Sequence, residues 1–321
     1  MKFKNTFRIK MILLFLIYNL TFAAILAPFV LFWGPFQSLK IMAVGAVATS
    51  RHPQVVQAFL SQAEIDRIMA SNASQGVGGS QAIARTNVIA DASSGITIED
   101  IQGPSFKGKV MLIKDPKRVK LAVTKEIGVT GERVSDLVKD MGAFAGINAG
   151  GFYDPNGKGN GAFPDGLTVH EGVLVHNNVG EKAVNIVGFN DQGKLIIGKM
   201  TANQLNEKHI REAVTFEPNL IVEGKSVISG DGGWGIAPRT GIGQTADGTV
   251  IFVVIDGRQP TWSIGATLRD LMNVFDDYHA VNAVNLDGGS SSELVYNGKV
   301  VNKLWDIFGE RYIPTAFVVT P

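Results

Sequence analysis

Ala283-Val284-Asn285-Leu286-Asp287-Gly288-Gly289-Ser290 is the stretch on which the fold turns. Side chains alternate along a strand, so Asn285 and Asp287 face one side. A buried sheet face does not carry two polar groups without partners for them. The Gly-Gly pair after the aspartate lets a ligand approach the backbone and exposes N–H groups as an anion nest. A helix feeds this strand: between Ala266 and Tyr278, the residues Leu268, Leu271, Met272 and Phe275 recur at helical spacing.

Two more strand ends follow the same pattern. A predicted helix capped by Thr130, with Val134, Leu137, Val138 and Met141 on one face, leads into a buried strand from Ala143 to Asn148. That strand runs into Ala149-Gly150-Gly151-Phe152. The unbroken apolar run Val250–Ile255 reads as a central strand and runs into Asp256-Gly257-Arg258. Val110 to Ile113 and Val119 to Thr124 are further strands. Asp191-Gln192-Gly193, Asp247-Gly248 and Asn297-Gly298 are tight turns, the last two being hairpin signals. Short strands joined by turns, with at least two packed helices, predict an α+β (mixed α/β) fold. It is expected to be a single large domain with a mostly mixed or antiparallel sheet, preceded by an N-terminal transmembrane helix.

The 321 residues include no cysteine, which excludes disulfides, cysteine-ligated metal and thiol nucleophiles. Residues 1–40 carry Lys2, Lys4, Arg8, Lys10 and Lys40 and no acid, so the net +1 leaves −4 for the rest. An acidic body argues against nucleic acid as partner. Residues 11–33 form an uncharged run of about 34 Å as a helix, enough to cross a bilayer core. Its basic flank places residues 1–10 in the cytoplasm and the body outside. The run is longer than a cleaved signal's apolar region, so it reads as a signal anchor. Residues 34–83 are expected to be a helical stalk (Ser50 to Met69) and a flexible linker (Ser71 to Ser80), and residues 84–321 the catalytic domain.

Arg239, Arg258 and Arg311 lie close to these strand ends in sequence, and arginine is the bidentate partner of carboxylate or phosphate. No H-E-x-x-H, G-x-S-x-G or Walker loop is present, and the five histidines show no metal spacing. His170 and His176, flanking a hairpin from Leu167 to Val175, are expected to be exposed.

Four motifs occur in order: Asn148-Ala149-Gly150-Gly151-Phe152-Tyr153, Pro238-Arg239-Thr240-Gly241-Ile242-Gly243, Val254-Ile255-Asp256-Gly257-Arg258-Gln259 and Asn285-Leu286-Asp287-Gly288-Gly289-Ser290. Together they resemble the phosphodiester glycosidase family, whose bacterial members are often labelled exopolysaccharide biosynthesis proteins. The sequence departs from the family's pattern at Ser290, where a third glycine is usual, and at Glu293, where a Thr-like residue stands. The resemblance implies hydrolysis of a sugar C1–O bond whose leaving group is a phosphate monoester. It implies carboxylate roles for Asp287 and Asp256, with Asp165 in reserve, and a sugar- or water-orienting role for Asn148. Arg239 and Thr240 would hold the phosphate, with Arg258, Arg311 and the loops at Gly150, Gly151, Gly288, Gly289 and Ser290. A divalent cation on Asp287 or Asp256 is left open. The expected partner is a phosphorylated cell-surface glycan: a teichoic acid, capsule or exopolysaccharide. The competing readings are a metal-dependent phosphodiesterase and a non-catalytic glycan-binding or assembly protein. The sequence says nothing of oligomeric state.

Overall fold

The computed structural model describes residues 2–35, 40, 43–45, 47, 54–74, 83–91, 94–155, 159–259 and 261–321. The apolar run lies within α1 (Lys2–Trp33), which includes Pro28. Its polar residues are satisfied within the helix: Asn19 Nδ2 donates to the Phe15 carbonyl and Thr21 Oγ1 to that of Ile17, both at 2.8 Å. Side chains from Met11 to Leu26 stand exposed along it, the pattern of a helix whose partner is not the rest of this chain.

The expected stalk helix is broken in two, α2 (Gln54–Gln57) and α3 (Gln62–Ser74). Ser61 causes the restart, because its Oγ accepts the Glu64 N–H at 3.3 Å and so caps the second piece. Ser50 lies outside the described residues. Residues 71–74 of the expected linker continue α3, and residues 75–80 lie outside the described set.

Three sheets follow, and every strand pairing in them is antiparallel. The largest has the order β1 (Ala84–Asp91), β2 (Ile96–Gln102), β3 (Lys107–Ile113), β14 (Val250–Ile255), β13 (Arg239–Thr245), β15 (Ala280–Leu286), β11 (Asn219–Val222), β12 (Lys225–Ser226). A second has β7 (Val173–Asn177), β6 (Leu167–His170), β10 (Ile210–Thr215), β8 (Val184–Asn190), β9 (Leu195–Met200). A third has β17 (Lys299–Val300), β16 (Leu294–Tyr296), β5 (Ala145–Asn148), β18 (Thr315–Val319), β4 (Val119–Val123). The three predicted turns join β8 to β9, β13 to β14 and β16 to β17.

One apolar core lies where the three sheets meet, with Met111, Phe252 and Leu286 from the first, Phe189 and Val214 from the second, and Ile147 and Phe317 from the third. The outer face of the large sheet is covered by α6 (Leu268–Asp277), which begins on a capping box between Thr267 and Asp270. Phe275 of α6 lies flat on β13, and a Cβ on Gly241 would come within 2.8 Å of its ring. α4 (Val134–Asp140) packs on the third sheet, and α5 (Ala202–Glu207) on the second.

The cap of α4 is not Thr130. Arg133 occupies the N-cap position, and the Thr130 hydroxyl donates to the Gly131 carbonyl instead. Glu310 supplies the missing acceptor from the far end of the chain, taking the Ser135 N–H at 3.0 Å and the Ser135 hydroxyl at 2.8 Å.

Candidate active site

The register brings the quoted strand ends together. Thr240 lies opposite Leu286 on one side and Val254 on the other, while Asn148 of the third sheet lies opposite Ala316. The buried Asn148 amide ties these edges to one another. Its Oδ1 accepts from Thr240 Oγ1 at 2.8 Å and from the Glu293 N–H at 3.1 Å, and its Nδ2 donates to the Asp287 carbonyl at 2.5 Å. Asn148 and Thr240 therefore hold the loop that carries Asp287.

Asp287 ends β15 and sits beside Arg311 and Asp154. Burial pushes its carboxyl up to about 6, with the Asp154 charge adding to the rise. The Ser291 hydroxyl, Arg311 and the Gly288 N–H oppose that rise. Arg311 forms an ion pair with Asp154, places Nη1 3.4 Å from the Ser290 hydroxyl, and stacks its guanidinium 4.5 Å from the Phe152 ring centroid. Asp154 was not among the sequence candidates. The signal was available: it directly follows the first motif, Asn148 to Tyr153.

Arg239 is buried, and three of its five N–H donors point at backbone carbonyls. Nε reaches Ala266 at 3.1 Å, and Nη2 reaches Trp234 at 3.2 Å and Gly235 at 2.6 Å. Burial, with Arg258 close by, lowers its pKa to about 10. Among the described residues no carboxylate forms an ion pair with it, and no protein hydrogen bond uses Nη1. Arg258 takes a left-handed backbone (φ 58°), and its guanidinium hangs over the Asp287 loop. A Cβ on Gly289 would stand 3.3 Å from Arg258 Nη1. Gly289 itself has φ 63°, so a side chain there would be strained as well as crowded.

Asp256, expected in a carboxylate role, is held by three donors. Its Oδ1 accepts the Asn302 Nδ2 at 3.1 Å and the Lys303 N–H at 3.0 Å, and its Oδ2 the Trp262 Nε1 at 2.7 Å. Burial raises its pKa, and these three donors oppose the rise. The carboxylate thus pins two loops and orients the Trp262 indole. Asp165 lies beside Gly151, where a Cβ would be 3.4 Å from its Oδ2. Burial raises its pKa, and His176 opposes the rise.

The glycine loops do not present a full nest. The Gly289 N–H is taken by the Pro238 carbonyl at 2.9 Å, and the Gly150 N–H by Thr315 Oγ1 at 3.2 Å. Gly288 packs against Pro238, where a Cβ would be 2.9 Å from the carbonyl oxygen.

Glu293, which the four motifs leave unexplained, is buried against Glu310. Burial first, and then the shared hydrogen bond with Glu310, push its carboxyl up to about 10, so it is a neutral acid at pH 7. Ser292 Oγ and Glu293 Oε1 are both buried without a protein partner, on the segment that follows the Asp287 loop. The histidines also differ from expectation. His170 places Nδ1 3.3 Å from the buried Glu212, and that hydrogen bond raises its pKa. His176 is half-buried, and burial lowers its pKa. Among the described residues no three His, Asp or Glu side chains gather as a metal site. The donors on Asp256 are N–H groups, and beside Asp287 stands the Arg311–Asp154 pair.

Residues 141–320 match the family model described as phosphodiester glycosidase. The chain belongs to the phosphodiester glycosidase family. That family is one of hydrolases acting on phosphodiester glycosidic linkages. Over 199 residues the chain is 28% identical to the SPbeta prophage-derived protein YomE of Bacillus subtilis strain 168, covering 59% of this chain but only 30% of that relative's length. Two solved structures share the fold. The zebrafish N-acetylglucosamine-1-phosphodiester alpha-N-acetylglucosaminidase catalytic domain, auto-inhibited by its pro-peptide, has a TM-score of 0.59 at 21% identity, covering 77% of this chain and 86% of that one. A hypothetical protein from Synechocystis has a TM-score of 0.58 at 15% identity, covering 75% and 64%.

Proposed function

We propose that this phosphodiester glycosidase hydrolyses the sugar C1–O bond of sugar-1-phosphodiesters in a cell-surface glycan, from a membrane-anchored position outside the cytoplasm. One observation carries the reading. Arg239 is a buried guanidinium with no carboxylate in ion-pair contact among the described residues, only the more distant charges of Asp231 and Asp270, and it lies one strand away from an aspartate whose carboxyl is raised to about 6. A buried cation with no anion in direct contact can take one brought by the substrate.

The chemistry follows from the leaving group. A phosphate monoester leaves readily, so the protein's task is to hold its charge and support an oxocarbenium-like centre. Arg239, through Nη1, faces the departing phosphate, with Arg258 above the same loop. Asp287 supplies an electron pair at C1, directly or by taking a proton from water. Water oxygen ends on C1, and the bond pair leaves with the phosphate oxygen. Arg311, fixed by Asp154, keeps Asp287 ionisable near neutrality.

The test is product analysis with the full chain in detergent, in oxygen-18 water, on a panel of sugar-1-phosphodiesters with and without chelator. Label on the sugar, lost in Asp287→Ala, supports the proposal. Label on the phosphate turns it into phosphodiesterase chemistry, and glycan binding without turnover turns it into a binding protein.

A further inference from the structure

The site-bearing end of the domain carries an apolar surface that the hydrolytic chemistry does not use. The segment from Lys303 to Arg311 starts at Asp256, where the Lys303 N–H is bound, and ends at Ser290, beside Arg311. It therefore runs along the rim of the site. At its tip Ile307 and Phe308 are 90% and 91% exposed. Exposed aromatic rings belong to the same rim: Trp305 on the segment itself, Trp262 bonded to Asp256 at its start, and Tyr312 next to Arg311 at its end. Adjacent large apolar side chains this open to water mark an interaction surface.

A second, separate observation says what lies opposite. Phe32, in the last turn of α1, shares a buried cluster with Val44. The next residue, Gly45, lies directly against Gly235, where a Cβ would come within 2.3 Å of the Gly45 backbone. The Gly235 carbonyl is one of those that hold Arg239. The chain leaving α1 is thus packed onto the loop that positions the phosphate-facing arginine. The outer end of the helix and the rim of the site lie at the same end of the molecule.

We propose that this end faces the bilayer in which α1 is embedded, with Ile307 and Phe308 entering the lipid and Trp305, Trp262 and Tyr312 at headgroup level. Rings with one polar edge favour that level, and the two tip residues, with no polar atom beyond the backbone, favour the acyl region below it. A glycan offers ring faces and hydroxyls, which suit tryptophan and tyrosine but give an isoleucine tip nothing to bury against. The site then opens toward substrates held at the membrane surface. The proposal rests on α1 spanning the membrane, and the experiment separates the two.

The chain has no cysteine, so one introduced thiol is a unique label. Full-length Phe308→Cys, Ala246→Cys and Phe22→Cys are spin-labelled in anionic liposomes, and their accessibility to oxygen and to a water-soluble nickel chelate is compared. Ala246 is exposed in the β13–β14 turn, at the other end of the strand from Arg239. The expected result is a label at 308 roughly 5–10 Å below the phosphates, a label at 22 deep in the core, and a label at 246 in water. A label at 308 as open to nickel as that at 246, with position 22 embedded, overturns the proposal and leaves the membrane span standing. A label at 22 in water overturns both. Protection at 308 that is equally strong in lipid-free amphipol assigns the tip to a lid over the site and overturns lipid docking.

Discussion

Asp256 and Asp287 each end a central strand of the same sheet, and each is followed by glycine, yet their surroundings differ. Asp256 meets three N–H donors and holds two loops and an indole in place. Asp287 meets a second carboxylate and an arginine, and its carboxyl is held near 6. The same strand-Asp-Gly pattern yields a brace at one edge and a reactive group at the other. What decides is whether the incoming loops bring donors that satisfy the oxygens or charges that leave one poised. On the proposed reading, the brace serves stability and the poised group serves the chemistry.

The comparison breaks first at Asp287. Asp287→Asn is expected to lower kcat by roughly 10²–10⁴-fold, while the same change at Asp256 leaves kcat per folded molecule within about tenfold. Steady-state kinetics on both variants, with folded fraction measured, decides it. Stability should move the other way. The folded pKa of Asp287 lies above its usual 3.8, so its protonated form stabilises the fold below that value. This contribution is lost as pH rises through about 6. Asp287→Asn should therefore raise unfolding stability by roughly 2–3 kcal/mol at pH 8 and by nothing at pH 3. Denaturant melts at the two pH values check the sign.

Asp256→Ala should destabilise by roughly 3–4 kcal/mol, because three donors lose a charged acceptor. The thermal midpoint and the emission of Trp262 would both shift. A variant that melts like the wild type would show that the brace is not one.

The pH profile sharpens the contrast. Activity should climb along a limb near 6 as Asp287 ionises, and Asp154→Asn should move that limb to lower pH by removing a like charge. An unmoved limb would take Asp154 out of the site. The last contrast is in stability alone, at Glu293→Gln. The unfolded Glu293 ionises above its usual 4.5 while the folded acid stays neutral up to about 10, so the wild type loses stability as pH rises between those values and the variant does not. Denaturant melts of the two should agree near pH 4 and separate as pH rises, with the variant the more stable at pH 7 and above.

Much of the architecture was legible because it is local. The apolar run Val250–Ile255, the helical spacing of Leu268 to Phe275 and the Asp247-Gly248 turn each specify their element within a few residues. The site was legible as a neighbourhood and not as roles. Asn148 reads as a ligand-orienting amide, but its partners lie 92, 139 and 145 positions away, and only the closed fold shows that they occupy it. The same holds for the cap of α4, where Glu310 arrives from 175 residues downstream to do what Thr130 was expected to do. Asp154 gains its meaning only when Arg311 returns to it.

The Asn148 amide also constrains how this enzyme could diversify. One side chain fastens the ends of strands from two sheets to the loop bearing Asp287, so a change there is felt by all of them at once. At the rim, Trp262 gives a single N–H to Asp256, and Trp305 and Tyr312 stand exposed. New substrate preferences should therefore arise by trading rim residues around a motionless centre. Laboratory evolution toward another glycan should accumulate changes at positions 262, 305 and 312 and leave position 148 untouched.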